Sequence, residues 1–413
     1  MQSEENRAAG GGKEREGAAA WRYGPPERDK QITRFAEIAG QAFNVAAEEI
    51  EPKIRGLGAK MVRLLHDGRQ VAGGAVLFWM GQWFGGRTVP MTGVAAVAVS
   101  PGMRSRGLAA HLMRSILMEI HTKEVPLSTL YPAVTSLYRQ AGYETAGARY
   151  ELRLLPRTFE LRERALEVRE LGEKDLPRTL ALYAERVQGA NGPIDRSAAD
   201  WQKFLGVWRG PMCRHGVWNG ERLEGYIVYF PRLRDGALYV REFVAATPAA
   251  GRRLLAFLGA HRTQTEACVL SSYPADPILA GLQPFSDQLR IPSHWMLRIV
   301  DVKRALEGRG YPPAVRAAVT LEIRDDVLAH NTGRFRLEVA GGKAAVRRLR
   351  SSAGAEARDA LTLDIRGLAA LYSAHMQARE MARLTPYLDA SSPQLAALEG
   401  IFSGPGPYMQ DEF

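Results

Sequence analysis

The chain has 413 residues, 46% hydrophobic and 24% charged, which is too long for one compact core and points to two or three domains. No window nears about twenty uninterrupted apolar residues, so no spanning helix is expected, and the N-terminus lacks the charged-then-apolar order of a secretory signal. The net charge of +10 comes with 46 arginines among 55 basic residues, scattered among acids without a DNA- or RNA-module signature, and the two cysteines, Cys213 and Cys268, cannot form a disulfide framework; no nucleic-acid partner and a reducing, cytoplasmic location are expected.

In chain order, residues 1–30 are polar, Gly/Ala-rich and aperiodic, and are expected to be a mobile leader. From Ile32, "ITRFAEIAGQAF" sets Phe35, Ile38, Ala39 and Phe43 at helix-face spacing. The stretch from Lys60 to Ser100 predicts three antiparallel strands with turns at Asp67-Gly68 and Gly85-Gly86. A helix is expected over Leu108–Thr122, a short strand over Leu127–Leu130, a helix near Thr135–Ala141 and a strand near Ala148–Leu155. Residues 156–300 repeat that cadence, strand–helix and then three strands and a helix, which suggests a diverged second copy of one fold. From 301 onward, strands punctuated by Asn331-Thr332-Gly333 and Gly341-Gly342 run into helical sequence, predicting a separate α+β domain to 413.

The chemistry is concentrated in "VAVSPGMRSRGLAAHLM", residues 97–113. A strand (Val97, Ala98, Val99) ends at Ser100-Pro101; a basic loop follows, and then an amphipathic helix with Leu108, Leu112 and Ile116 on one face. Amides at a helix start bind phosphate oxygens, aided by the positive end of the helix dipole. Gly107 permits close backbone approach, Ala109 and Ala110 keep the first turn small, and Arg104 and Arg106 add charge-assisted donors. Taken alone, "RSRGLA" is equally a surface turn with two solvated arginines.

The surrounding order of strands and helices resembles the GNAT acetyltransferases. In that family Arg/Gln-x-x-Gly-x-Gly/Ala holds the pyrophosphate of acetyl-CoA, and Arg104-Ser105-Arg106-Gly107-Leu108-Ala109 matches it. The same resemblance implies that the backbone of Val97–Val99 pairs with the pantetheine arm as an added strand would, and that the next strand ends near Ala133-Val134 beside the same cleft. "SLYRQAGYE" matches the family's Tyr-x-x-x-Gly-Phe/Tyr, placing Tyr138 at the tyrosine that protonates the departing thiolate. A phenol of ordinary pKa about 10 is protonated at neutral pH; the alternative is that Tyr138 only packs near Gly142 and Tyr143, and Tyr143 itself is assigned to packing.

A GNAT domain (31–155), a degenerate GNAT-like domain (156–300) and a sterol-carrier-protein-like α+β domain (301–413) in this order resemble the Eis family of bacterial acetyltransferases. The fold class implied is α+β: tandem GNAT domains with mixed, mostly antiparallel sheet and flanking helices, then the sterol-carrier-like domain. The family implies acetyl transfer from acetyl-CoA to primary amines of aminoglycosides or polyamine-like molecules by direct attack, and assembly as a homohexamer. It also implies that the C-terminal carboxylate, here that of Phe413, is the general base delivered into the first domain's cleft, with Glu412 as a contact for cationic substrate. Without the resemblance, "YMQDEF" is a polar tail expected to fray.

Other candidates are weaker. Glu48, Glu49 and Glu51 could attract a polycation or solvate a helix face, and Trp79 and Trp83 could line an amine pocket or fill the core. Cys213 and His215 form one close pair with no second pair at ligand spacing, so no metal is expected. "ATPAAGRRLL" lacks the Arg-x-x-Gly pattern, so the second domain is expected not to bind CoA. Two other functions stay open: a lipid- or partner-binding protein with a vestigial first domain, and a lysine acetyltransferase for proteins or peptides.

Overall fold

The computed structural model describes residues 21–156, 163–196, 212–231, 234–274, 276, 289–349, 360–388 and 394–413. They form two compact units. One holds the described residues up to Phe78 with Val94–Lys123, and the other holds Trp79–Gly93 with Glu124–Phe413. Among the described residues no helix is long and apolar enough to cross a membrane.

The first unit contains β1 (Arg22–Gly24), α1 (Asp29–Phe43), α2 (Ala47–Leu57), β2 (Val62–His66), the opening of β3 (Val71–Phe84), the close of β4 (Arg87–Val99) and α3 (Leu108–Thr122). The apolar spacing of α1 buries Ile32, Phe35, Ala36, Ile38 and Ala39, and the helix stops where Asn44 turns left-handed at φ 55°. α3 buries Leu108, Leu112, Met113, Ile116, Leu117 and Ile120 on one stripe. The buried Arg63 of β2 forms a two-pronged ion pair with Glu119 of α3 (2.7 and 2.6 Å), and Tyr23 donates to Glu119 at 2.5 Å. Tyr23 belongs to β1, which pairs antiparallel with β2 from Arg22↔His66 to Gly24↔Leu64. The expected leader thus contains a paired strand and the start of α1; residues 1–20 of it lie outside the described residues.

The second unit continues with β5 (Leu127–Leu130), α4 (Thr135–Gln140), β6 (Glu144–Leu154), β7 (Glu167–Glu170), α5 (Leu176–Val187), β8 (Ile194–Asp195), β9 (Cys213–Asn219), β10 (Arg222–Tyr229), β11 (Ala237–Ala245), α6 (Pro248–Gly259), β12 (Ala267–Ser272) and β13 (Leu289–Ile299). Its large sheet runs β4-β5-β13-β6-β12-β11-β10-β9-β7. β13 lies between two strands of the earlier block: Met296–Ile299 pair with Leu130–Leu127, and Leu289–Leu297 pair with Leu152–Glu144. β6 in turn pairs with β12, from Cys268↔Leu154 to Ser272↔Tyr150. The closing strands of the two repeats therefore interleave, and a strand expected from Ala148 begins at Glu144 because its first residues already pair with β13. A core of Leu152, Val217, Ile227, Leu238, Leu254 and Leu258 fills the second repeat.

The C-terminal part adds α7 (Val302–Gly308), β14 (Ala317–Arg324), β15 (Gly333–Ala340), β16 (Lys343–Leu349), β17 (Leu361–Asp364), α8 (Ile365–Tyr372), α9 (Ala378–Leu384) and α10 (Leu395–Ile401). Its own sheet runs β16-β15-β14-β17, with β14 and β17 parallel. The β15–β16 hairpin turns on Gly341 and Gly342, both at positive φ. The chain is thus α+β: two repeats whose closing strands interleave, and a distinct mixed-sheet domain.

Candidate active site

The basic loop stands in the first unit. Past Ala96, held left-handed at φ 51°, β4 runs through Val97, Ala98 and Val99, beyond the register in which β4 pairs with β5 (Met91↔Leu127 to Gly93↔Thr129). Pro101 then breaks the strand into a single 3-10 turn, and Ser105 (φ 61°) and Gly107 (φ 74°) reverse the chain into α3. No side chain caps α3, so its first amides, at Leu108, Ala109 and Ala110, have no side-chain acceptor. Space around a Cβ on Gly107 is open, and Arg104, Ser105 and Arg106 are exposed, the two arginines in no ion pair among the described residues. Open amides, a positive dipole end and two free guanidinium groups suit a pyrophosphate.

The corresponding helix start of the second repeat is built differently. Pro248 has no N–H to offer, and Thr247 Oγ1 accepts the Ala250 amide at 3.1 Å while donating to Glu224 at 3.0 Å. A capped helix start beside a carboxylate is unsuited to an anion.

Tyr138 lies in the second unit on α4, only 5% exposed, with its ring edge-on to Tyr143 at 6.1 Å. Burial pushes its phenol up to about 12, and its hydroxyl makes no hydrogen bond among the described residues. The helix is stopped by Gly142 at φ 82°, where an added Cβ would stand 2.7 Å from Arg298 Cζ, so only glycine fits. Tyr143 is fully buried, its hydroxyl 2.7 Å from Ser128 Oγ, which itself donates to the Thr92 carbonyl. Packing is therefore the place of Tyr143. Ala133 and Val134 were expected at a strand end, but β5 stops at Leu130 and Pro132 prevents its extension. Both residues are exposed in the approach to α4, with Val134 as its N-cap.

The C-terminal segment, also in the second unit, is built into the structure. Tyr408 N donates to Asn191 O (3.1 Å) and Met409 N to Ala148 O (3.1 Å), while Asn191 Nδ2 donates to Pro405 O. The Tyr131 hydroxyl donates to the carbonyls of Met409 (3.1 Å) and Asp411 (3.0 Å), and its ring meets Phe413 edge-on at 6.1 Å. Asp411 is 1% exposed and accepts both prongs of Arg196 (3.2 and 2.9 Å), with Arg241 3.5 Å away. The Phe413 ring lies over Gly93, where a Cβ would come within 2.6 Å of its Cε2. Glu412 is exposed but not free: its carboxylate is 3.3 Å from Arg149 Nε. Tyr131, Gly93, Asp411, Arg196 and Arg241 were not singled out from sequence. The one local hint was an acidic pair at a chain end.

The remaining candidates take structural places. Glu51 accepts from Thr33 (2.8 Å) and Arg55 (2.8 Å), and Glu48 and Glu49 sit exposed in the first turn of α2, where the dipole favours acids. Trp79 and Trp83 are half-buried on β3, and Trp83 packs against the buried cluster that includes Leu182, Tyr183 and Trp218. His215 stacks on Tyr229 and lies tilted against Phe257, and burial lowers its pKa; Cys213 and Cys268 are free thiols. No group of three or more metal-ligating residues occurs among the described residues.

Comparisons with known proteins agree with this architecture. Residues 26–146 and 192–299 each match an acetyltransferase (GNAT) domain, and residues 302–410 match a sterol carrier protein domain. The chain is similar to a GCN5-related N-acetyltransferase of Anabaena variabilis ATCC 29413, at 34% identity and TM-score 0.86 over 95% of this chain and 100% of that one. It is 26% identical over 372 residues to an uncharacterized N-acetyltransferase of Streptomyces griseus (80% of this chain, 83% of the relative). It is 26% identical over 341 residues to N-acetyltransferase Eis of Mycobacterium tuberculosis (77% and 79%).

Proposed function

The chain belongs to the GCN5-related N-acetyltransferases of the Eis-like kind, with acetyl-CoA as co-substrate, and from that premise we propose that it acetylates primary amines of aminoglycoside- or polyamine-like molecules by direct attack. The observation that carries the mechanism is the C-terminus: a segment that should fray is instead held by Tyr131, Asn191 and Arg196, with Phe413 seated over Gly93.

In this reading the pyrophosphate of acetyl-CoA rests on Arg104, Ser105, Arg106 and Gly107 and on the amides of Leu108, Ala109 and Ala110. The backbone of Val97, Ala98 and Val99 pairs with the pantetheine arm, and Ala133 and Val134 contact it. The Phe413 carboxylate takes a proton from the substrate ammonium. The freed nitrogen attacks the thioester carbonyl carbon, the C–S bond breaks as the Tyr138 hydroxyl protonates the departing thiolate, and the second proton lost from the nitrogen returns the tyrosine to its phenol form. The high pKa of Tyr138 keeps that proton in place across the neutral range. Glu412 meets a second cationic group of the substrate, which displaces Arg149. The protein works in the cytoplasm, where its two thiols stay reduced, and it assembles as a homohexamer, measurable by light scattering.

The test is thiol release from acetyl-CoA with spermidine, kanamycin and related amines. Tyr138→Phe and deletion of Phe413 should each lower kcat about 10²- to 10⁴-fold while leaving the acetyl-CoA Kd unchanged. Equal loss of cofactor binding would make both roles structural, and a silent amine panel with intact acetyl-CoA binding would overturn the substrate class.

A further inference from the structure

We propose that the second GNAT repeat contributes positioning residues to the reaction: Arg196 and Arg241 fix the terminal carboxylate by gripping Asp411, two residues before it. This rests on the reading of Phe413 as general base.

The grip is a buried ionic cluster. Arg196 is 5% exposed, bonds Asp411 through Nε and Nη2, and reaches Glu242 through Nη1 at 2.6 Å. Glu242 also accepts the Tyr226 hydroxyl at 2.8 Å, and the Arg196 guanidinium lies 3.8 Å over the Tyr183 ring. The guanidinium of Arg196 is therefore held in direction by two groups of the second repeat, Glu242 at Nη1 and the Tyr183 ring across its face, which leaves Nε and Nη2 aimed at Asp411. Arg241, 7% exposed, approaches Asp411 at 3.5 Å, and its Nε and Nη2 make no hydrogen bond among the described residues. Asp411 is thus placed between two cations.

Such a cluster is a poor way to gain stability. Removing four charged groups from water costs several kcal/mol per ion, and apolar replacements are often neutral or better, so the best-attested use of buried ions is to fix register. The apolar members of the tail, Tyr408 and Met409, are already buried and could hold it alone. Their amides, bonded to Asn191 O and Ala148 O, set the register of the tail as far as Met409, four residues from the terminus, and the grip on Asp411 carries it to within two. Two residues of chain span at most about 7 Å, so an immobile Asp411 confines the Phe413 carboxylate to a small volume. Displacing a catalytic group by about 1 Å can cost about 10²-fold in rate. The degenerate repeat, unsuited to CoA at its own helix start, thereby keeps a task.

The experiment is a double-mutant cycle on full-length protein with acetyl-CoA and spermidine or kanamycin, whichever is turned over. Asp411→Asn keeps the shape and removes the charge. It should lower kcat about 10²-fold with little change in the acetyl-CoA KM. Deletion of Phe413 withdraws the carboxylate by one residue, about 3.5 Å. In that background Asp411→Asn should lower kcat no further, because the group it positions is already gone. Losses that simply multiply would mean general structural damage and overturn the proposal, as would wild-type kcat in Asp411→Asn. If deletion of Phe413 itself leaves kcat intact, the base assignment fails first, and the clamp with it. Should Asp411→Asn not fold, Arg241→Met leaves the Arg196–Asp411 pair in place and runs the same cycle, with a smaller loss expected and the same criterion.

Discussion

At the scale of single residues, the catalytic reading turns on atoms that are missing as much as on those present. Gly93 sits in β4 beneath the Phe413 ring, and a methyl there would meet Cε2 at 2.6 Å, Cδ2 at 3.0 Å and Met80 Cε at 2.7 Å. A methionine tip can swing away. An aromatic ring cannot bend, so the whole terminal residue must shift, and its carboxylate with it. Gly93→Ala is therefore expected to lower kcat by about 10-fold or more, with an overpacking cost of about 1–3 kcal/mol visible in a thermal melt. Unchanged kcat would mean that the ring's seat does not set the carboxylate's place. Gly142 belongs to the same class: Arg298 occupies the volume its side chain would need, which is why the motif around Tyr138 requires glycine there for space as well as for φ.

At the scale of elements, the sequence made the local devices visible and hid the long-range ones. The bounds Leu108–Thr122 and Leu127–Leu130 follow from apolar spacing and flanking breakers, and both are observed. The basic loop was legible because Pro101, Gly107 and the small first turn of α3 act within a dozen residues. The exchange of β13 into the space between β5 and β6 was not legible: strand pairing across about 150 positions leaves no periodic trace. Asp411 was hidden for the same reason, since its partners Arg196 and Arg241 are ordinary arginines among many until the fold brings them together. The α3 start gives its own prediction. Gly107 holds φ 74° with open space around its missing Cβ, so Gly107→Ala introduces backbone strain of about 1–2 kcal/mol and no clash. Relaxing that strain misaims the amides of Leu108–Ala110. The acetyl-CoA KM should rise several-fold while kcat at saturating cofactor holds; a fall in kcat alone would remove the loop from cofactor binding.

At the scale of the whole molecule, the sterol-carrier-like domain is joined to the interleaved GNAT strands by buried ionic and hydrogen-bonded groups. Arg298 of β13 and Asp325, both fully buried, pair at 2.7 Å, and Tyr387 donates to Glu144 of β6 at 2.7 Å. His375, just after α8, faces His294 of β13 and Glu144 of β6; burial, and next the nearby His294, lower its pKa below the ordinary 6.5, against the attraction of Glu144. Burial pushes Glu144 up, but its hydrogen bonds from Arg139, the Thr145 amide and Tyr387 outweigh that and leave its pKa below the usual 4.5. The two therefore act in separate windows. A histidine favoured neutral in the fold takes up its proton more readily when unfolded, so stability is full above about pH 6.5 and falls as pH drops through that value. Glu144 adds its loss only below about pH 4.5. Between pH 7.5 and 5 the melting temperature should decline in the native chain, and His375→Gln, which carries no ionisable group, should flatten that decline while leaving the fall below pH 4.5 in place. Parallel curves for the two proteins across pH 7.5 to 5 would show that this seam does not sense acid through His375.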